Sequence, residues 1–117
     1  MFKLDNTKIG VVGLGYVGLP LAIEFSKKYS VKGFDVDSIR VSELNSGFDS
    51  TLELNEDELK NAQNITYSDR LDDIVDCNLY VLTVPTPIDS DKNPDVSLLL
   101  RASEMIGSII GKNDILI

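Results

Sequence analysis

One stretch near the start of the chain decides the fold, Ile9-Gly10-Val11-Val12-Gly13-Leu14-Gly15-Tyr16-Val17-Gly18. The short β-branched run before Gly13 predicts a strand that is buried on both faces, as in a parallel sheet. The glycines that follow fit the pattern G-x-G-x-x-G, and apolar residues after them recur at helical spacing up to about Tyr29. The stretch therefore predicts a strand, a tight glycine-rich turn and a helix in direct succession.

The same alternation continues along the rest of the chain. Further strands are predicted at 31–35, 64–67, 79–84 and 114–117, and helices at about 38–45, 55–61, 70–75 and 98–110. Such alternation implies an α/β fold of Rossmann type, which is a doubly wound parallel sheet with helices on both faces. Because a soluble domain rarely ends within an apolar strand, we expect residues 1–117 to be one domain, truncated after the start of a fifth strand.

Composition and charge exclude several classes of function. The 117 residues carry a net charge of −8, which argues against nucleic acid or an anionic membrane as a partner. No apolar run approaches the length of a membrane span. The chain has no histidine, so a Ser-His-Asp triad and a histidine metal site are excluded, and we expect no metal. Its one cysteine allows no internal disulfide, which suits the cytoplasm.

The three fingerprint glycines have separate physical roles. Gly13 lets the strand turn sharply, Gly15 lets the backbone approach a diphosphate, and Gly18 lets the helix pack closely on the strand. The free N–H groups and the positive dipole at the start of the helix then favour the diphosphate. The context of strand, turn and helix supports a dinucleotide site, whereas the alternative is a glycine-rich turn without a ligand.

An acidic residue at the end of the second strand identifies the dinucleotide. Asp35 follows the fingerprint at the required distance of about 20 residues, and its carboxylate can accept hydrogen bonds from the adenosine ribose. Its charge would repel the 2′-phosphate of NADP, so NAD is the predicted cofactor. The alternative role, helix N-cap, can be filled by Asp37. Arg40 could contact the adenine edge or a 2′-phosphate, or it could be a solvated helix arginine. The negative charge of Asp35 argues against the 2′-phosphate role.

The remaining reactive side chains predict no catalysis within this chain. Cys77 has no histidine partner, and its neighbour Asp76 would raise the thiol pKa, so we interpret Cys77 as a small packed residue. Carboxylates such as Glu53 and Glu56 are typical of solvated faces. No pair of residues suggests a general acid and base.

Three segments together resemble the UDP-glucose/GDP-mannose dehydrogenase family. They are the run from Lys8 to Pro20, Gly33-Phe34-Asp35-Val36-Asp37 with Arg40-Val41, and Thr83-Val84-Pro85-Thr86-Pro87. Within the family, residues 44–47, 49–53 and 85–89 look most similar to the UDP-N-acetylhexosamine 6-dehydrogenases (GlcNAc/GalNAc) of Vi-polysaccharide and O-antigen synthesis.

The resemblance implies an NAD-dependent, two-step oxidation of the C6 alcohol of a UDP-sugar to the uronic acid in a cytoplasmic homodimer. The catalytic cysteine and lysine would lie in segments absent here, so this chain should bind NAD without oxidising a sugar. By the resemblance, Gly13–Gly18 would bind the diphosphate, Asp35 the ribose, and Arg40 the adenosine end. The full cofactor set is Gly13, Leu14, Gly15, Tyr16, Val17, Gly18, Asp35, Val36, Arg40, Val84, Pro85 and Thr86.

Two other interpretations remain open at this point. The same N-terminal pattern occurs in 3-hydroxyacid-type dehydrogenases, although the Val-Pro-Thr-Pro run at 84–87 weighs against them. A stand-alone NAD-sensing module would need a capped sheet edge, and the apolar ending Ile115-Leu116-Ile117 argues against it.

Overall fold

The strands form one parallel sheet in a computed structural model that describes residues 6–88 and 90–117. Met1–Asp5 and Asp89, which ends the 85–89 segment of the family resemblance, lie outside the described residues. The strands are β1 Lys8–Val12, β2 Ser30–Phe34, β3 Ile65–Ser68, β4 Leu79–Leu82 and β5 Ile115–Leu116, in the spatial order β3-β2-β1-β4-β5. Within the sheet, Val11 of β1 is paired with Gly33 of β2 on one side and with Val81 of β4 on the other.

Helices cover both faces of this sheet, as the alternating pattern predicts. They are α1 Gly18–Ser26, α2 Ser38–Asn45, α3 Glu56–Asn61 and α4 Ser97–Gly107, with a short 3-10 helix at Leu71–Ile74. Helices α1 to α3 close one apolar core, where Leu19 and Leu44 pack with strand residues such as Val31. Helix α4 and the 3-10 helix close a second core, in which Ala102 and Ile106 pack near Tyr80. The Rossmann-type fold is therefore confirmed.

Several predicted element ends are wrong by a few residues. The helix predicted at 70–75 is a 3-10 helix that spans only Leu71–Ile74, with N–H groups that donate to the oxygen three residues earlier, as Asp73 N does to Arg70. Helix α4 ends at Gly107 instead of Ile110, and its last carbonyls accept bonds from a turn. Gly111 lies beyond that turn and donates its N–H to Asp114. Strand β4 ends at Leu82 instead of Val84, just before the prolines.

The strand order places a crevice at the carboxyl end of β1. From β1 the chain winds outward to β2 and β3 on one side, and then returns to β4 and β5 on the other side. The helices after β1 and β4 therefore lie on opposite faces and leave a gap between the two strand ends. Open α/β sheets bind ligands at such a switch point. Within the described residues, no helix has the length and apolarity needed to cross a membrane.

Candidate functional site

A cavity of about 610 Å³ opens at this switch point. Its volume lies within the usual range for small-molecule and cofactor sites. Its walls come from the turn after β1, the end of β2, the start of α2, the loop after β4 and one side of α4. They are lined by Val12, Gly13, Leu14, Gly15, Tyr16, Phe34, Asp35, Val36, Asp37, Arg40, Thr51, Val84, Pro85, Leu98, Arg101, Ala102 and Met105.

The glycine-rich turn has the geometry that the sequence predicts. Gly13 has a φ of +98°, which side chains disfavour, and its N–H donates to the Phe34 oxygen at 2.8 Å. A Cβ on Gly18 would overlap the carbonyl oxygen of Gly13, so this glycine permits the close contact of α1 with the strand end. A Cβ on Gly15 would meet no atom within 4 Å, and Gly15 lines the cavity. Only Gly15 therefore keeps space open for a ligand.

The start of α1 offers an uncapped helix terminus next to that space. Its N-cap residue, Val17, has no side-chain oxygen, and no acidic residue lies in the first turn. A helix N-terminus of this kind attracts anions through its N–H groups and its dipole. The side chain of Val17 is 67% exposed, and neither Val17 nor Gly18 lines the cavity.

The carboxylate of Asp35 is fixed by two main-chain N–H groups. Its Oδ2 accepts from Leu14 N and its Oδ1 accepts from Asp37 N, both at 2.9 Å. Each oxygen keeps acceptor capacity for a ligand, because a carboxylate oxygen can accept more than one hydrogen bond. Asp37 is the N-cap of α2, and its Oδ1 accepts from Ile39 N at 3.0 Å and Arg40 N at 3.3 Å. The N-cap role is therefore filled by Asp37, as predicted.

Arg40 is buried, so its interpretation as a solvated helix arginine is wrong. Its Nε donates to the Leu14 oxygen at 2.7 Å, and its Nη1 donates to Asp49 Oδ1 at 2.8 Å. The Arg40 side chain is 8% exposed and that of Asp49 is fully buried. The Nη2 of Arg40 is also buried and has no hydrogen-bond partner within the part of the chain that the structure describes. Arg40 lines the cavity, whereas Asp49 lies behind it.

Asp49 organises the loop between α2 and α3. It accepts from Thr51 N at 3.0 Å, Thr51 Oγ1 at 2.6 Å and Leu54 N at 3.0 Å. Burial raises the pKa of Asp49, but the hydrogen bonds from Thr51, Arg40 and Leu54 outweigh it and hold this pKa below its ordinary value. The carboxylate is therefore ionised at neutral pH and balances the Arg40 charge.

The end of β4 contributes a second wall. Thr83 Oγ1 donates to the main-chain oxygens of Gly13, at 2.7 Å, and Val12, at 3.1 Å, which ties the two strand ends together. Val84 and Pro85 then line the cavity, whereas Thr86 is exposed outside its lining. The structure thus brings nine of the twelve predicted cofactor residues to the cavity, and leaves Val17, Gly18 and Thr86 outside its walls.

Sequence reasoning missed the wall that α4 provides. Leu98, Ala102 and Met105 recur at helical spacing along α4, and all three line the cavity together with Arg101. Helical periodicity identifies an inward side but does not distinguish a core contact from a cavity wall. Thr51 was missed because the loop at 48–54 has no period.

Cys77 is a packed residue outside the cavity lining, which confirms its interpretation as a small core residue. It is 2% exposed and belongs to the core formed with Tyr80 and Ile74. Burial, together with the negative charge of Asp76, raises the pKa of the Cys77 thiol to about 12. A thiol in this state is a poor nucleophile.

A parallel sheet with a glycine-rich turn after β1, an uncapped helix start and a carboxylate after β2 defines a dinucleotide-binding domain. The residues fit such a ligand, since Gly15 and Asp35 line the same cavity. Residues 7–117 match the UDP-glucose/GDP-mannose dehydrogenase family, NAD binding domain. The chain belongs to this family, and its cofactor is NAD.

Individual relatives agree with the branch that the sequence resembles. The chain is 51% identical to a UDP-N-acetyl-D-glucosamine 6-dehydrogenase of Pseudomonas aeruginosa over 97% of its own length and 27% of that protein. It is 46% identical to the Salmonella typhi protein of the same name, over 100% of its own length and 28% of that protein.

A solved structure shows the same fold. The structure of a UDP-D-ManNAc dehydrogenase from Pyrococcus horikoshii has a TM-score of 0.82 and 30% identity, and the match covers 94% of this chain and 27% of that one. The chain thus spans about a quarter of the length of the relatives that it matches. These matches favour the interpretation as a nucleotide-sugar dehydrogenase domain over that as a 3-hydroxyacid-type dehydrogenase domain.

Proposed function

We propose that the whole protein containing this chain is an NAD-dependent nucleotide-sugar 6-dehydrogenase. It oxidises the C6 alcohol of a UDP-sugar, most specifically a UDP-N-acetylhexosamine, to the uronic acid. The relatives at 46–51% identity are named for this activity, and that similarity supports the substrate class. The product would serve surface polysaccharide synthesis in the cytoplasm, and the whole protein would be a homodimer without nucleic acid or membrane partners.

Within that protein, this chain holds the cofactor. The diphosphate would lie over Gly15 at the start of α1, where a Cβ would otherwise fill the open space. The N–H groups of Gly13 and Leu14 already donate to Phe34 and Asp35, so those of Tyr16 and Val17 would orient it. When bound, NAD supplies the hydride acceptor, and the residues of this chain only bind and orient it.

The adenosine half would lie between the end of β2 and helix α4. Asp35 keeps acceptor capacity for the ribose hydroxyls, while Val36 and Arg40 flank that position. The other wall is formed by Val84 and Pro85 with the apolar side of α4, and we keep Thr86, which follows them outside the lining, as a proposed contact of bound NAD. An apolar slot with a few fixed polar groups is the usual design of a cofactor site.

The chemical step requires groups outside this chain. Cys77 is buried with a raised thiol pKa and lies outside the cavity lining, so it does not match the nucleophile that the family uses. We therefore propose that the chain binds NAD without oxidising a sugar. The observation that carries the proposed function is that the open space at Gly15 and the fixed carboxylate of Asp35 share one cavity.

Calorimetric titration of the chain with NAD and with NADP tests cofactor binding. We expect NAD to bind and to raise the melting temperature, and NADP to bind at least about tenfold more weakly, because one unfavourable charge contact is worth roughly one decade. Asp35→Asn should narrow this difference, whereas Asp69→Asn, a change on an exposed turn, should leave it unchanged. Equal binding of the two dinucleotides by the unaltered chain would contradict the role of Asp35.

Substrate choice is tested with the whole protein. NADH formation should be measured with UDP-N-acetylglucosamine, UDP-N-acetylmannosamine and UDP-glucose, and the product should be analysed for a uronic acid. The proposal predicts activity on an N-acetylated UDP-sugar and little on UDP-glucose. A preference for UDP-glucose would place the protein in another branch of the family.

A further inference from the structure

Four residues close a ring of hydrogen bonds around the ribose side of the cavity. Leu14 N donates to Asp35 Oδ2, and Asp37 N donates to Asp35 Oδ1. Arg40 N donates to Asp37 Oδ1, and Arg40 Nε donates to the Leu14 oxygen, which closes the ring. The side chain of Arg40 is therefore fixed against the same turn that fixes Asp35. Arg40 and Asp35 are thus both hydrogen-bonded to Leu14, and both line the cavity.

That positive charge is balanced from behind the cavity wall. Asp49 Oδ1 lies 2.8 Å from Arg40 Nη1, and Glu43 Oε2 lies 3.9 Å from the same atom. Asp49 is fully buried, while the Glu43 side chain remains 20% exposed. Neither carboxylate lines the cavity. The cavity lining therefore includes the carboxylate of Asp35 and an arginine whose charge is paired behind the wall.

An arginine without this balance would change the selectivity of the site. A positive guanidinium near the ribose is the usual means by which dinucleotide-binding folds accept a 2′-phosphate. Arg40 already has a buried Nη2 that no described residue uses. Its pairing with Asp49 leaves the two side chains together without net charge.

We infer that Asp49 is a positioning residue that sets the preference for NAD over NADP by neutralising and holding Arg40. This inference rests on the proposed function, since it takes Asp35 as the residue that receives the ribose. Asp49 acts through Arg40 and touches no ligand. Glu43 makes a smaller contribution of the same sign, because it lies farther from Nη1 and nearer to solvent.

The test is the ratio of the NADP and NAD dissociation constants, measured by calorimetry on the unaltered protein and on Asp49→Asn. One unit charge at roughly 10 Å in a medium of effective dielectric about 20 corresponds to about a tenfold change, so the ratio should fall at least about tenfold. Glu56→Gln removes an exposed carboxylate on α3 and should leave the ratio unchanged. A merely structural role of Asp49 would weaken both dinucleotides equally.

A double substitution isolates the route through Arg40. In an Arg40→Met background, Asp49→Asn should no longer change the ratio, because the cation on which it acts is absent. If Asp49→Asn does not fold, as its melting curve would show, the same ratio of dissociation constants is measured on Glu43→Gln instead. That variant should lower the ratio about two- to threefold, the smaller effect of a partly solvated charge.

The outcomes separate this inference from the proposed function. An unchanged ratio in folded Asp49→Asn, or in Glu43→Gln where the first does not fold, overturns the inference, provided that Asp35→Asn still lowers the ratio. If Asp35→Asn also changes nothing, the ribose assignment itself has failed. A shift that persists in the Arg40→Met background also overturns the inference, because Asp49 would then act by another route.

Discussion

Gly18 lies so close to Gly13 that a Cβ at position 18 would overlap the carbonyl oxygen of Gly13 and crowd the hydroxyl of Thr83. The neighbouring Gly15 has no atom within 4 Å of its Cβ position. Two glycines of one motif therefore have different physical constraints. The packing of α1 on the strand ends requires Gly18, whereas no contact among the described residues requires a glycine at position 15.

Gly18→Ala should destabilise the fold. The added methyl group would meet main-chain atoms, which cannot rotate away, so the cost should be about 3 kcal/mol, at the upper end of the range for overpacking. A domain of this size should then lose roughly 10 °C in melting temperature. Thermal unfolding followed by circular dichroism measures this, and an unchanged melting temperature would contradict the close contact.

Gly15→Val should leave stability nearly unchanged and abolish NAD binding. The valine side chain would meet open space within the chain, but it would occupy the position proposed for the diphosphate. The melting temperature without ligand should match that of the unaltered chain, while addition of NAD should no longer raise it. Gly107→Ala, at an exposed helix position with equal free space, is the matched control that retains binding.

The parts of the site that sequence predicts are those encoded locally. The strand, the turn at Gly13 and the carboxylate of Asp35 follow one another within a short segment, so spacing alone places them. The N-cap role of Asp37 is similarly local, because it depends on the N–H groups of the next residues in α2.

The contacts that sequence does not predict are set by loop conformation and by tertiary packing. The pairing of Arg40 with Asp49 depends on a loop without periodicity, whose course is fixed by hydrogen bonds to Thr51 and Leu54. Helix α4 ends at Gly107, where its last carbonyls accept hydrogen bonds from the N–H groups of a turn, an end that apolar periodicity does not mark. An arginine on a polar helix face is usually solvated, and only the folded chain shows that Arg40 is buried.

Acid should weaken the contribution of Asp49 to stability. Its folded pKa lies below the ordinary value of 3.8, so the ionised carboxylate stabilises the fold above about pH 4, and this stability is lost as the pH falls through the folded pKa. At pH 7, Asp49→Asn should cost about 3 kcal/mol, because it leaves the Arg40 charge buried without its partner. Urea unfolding at about pH 3 should show a smaller difference between the two proteins. A difference that is independent of pH would contradict the ion pair.

The pair between Lys32 and Asp76 should contribute far less. Lys32 Nζ lies 2.8 Å from Asp76 Oδ1, but the two side chains are 32% and 46% exposed. The hydrogen bond to Asp76 raises the pKa of Lys32, and the same bond lowers that of Asp76, yet solvent screens the pair. Lys32→Met should therefore cost less than about 1 kcal/mol, and the cost should disappear in concentrated salt. A loss as large as that of Asp49→Asn would mean that exposure does not govern these two pairs.

Cys77 should be unreactive in the native chain. Because its pKa is about 12, the thiolate is scarce at neutral pH, and burial also blocks a reagent. An aromatic disulfide reagent should modify Cys77 slowly in native protein and rapidly in urea, at a rate that follows local or global opening. Cys77→Ala should retain NAD binding, since the residue lies outside the cavity lining. Rapid modification of native protein, with loss of NAD binding, would instead place the thiol at the cofactor site and reopen its role in the chemistry.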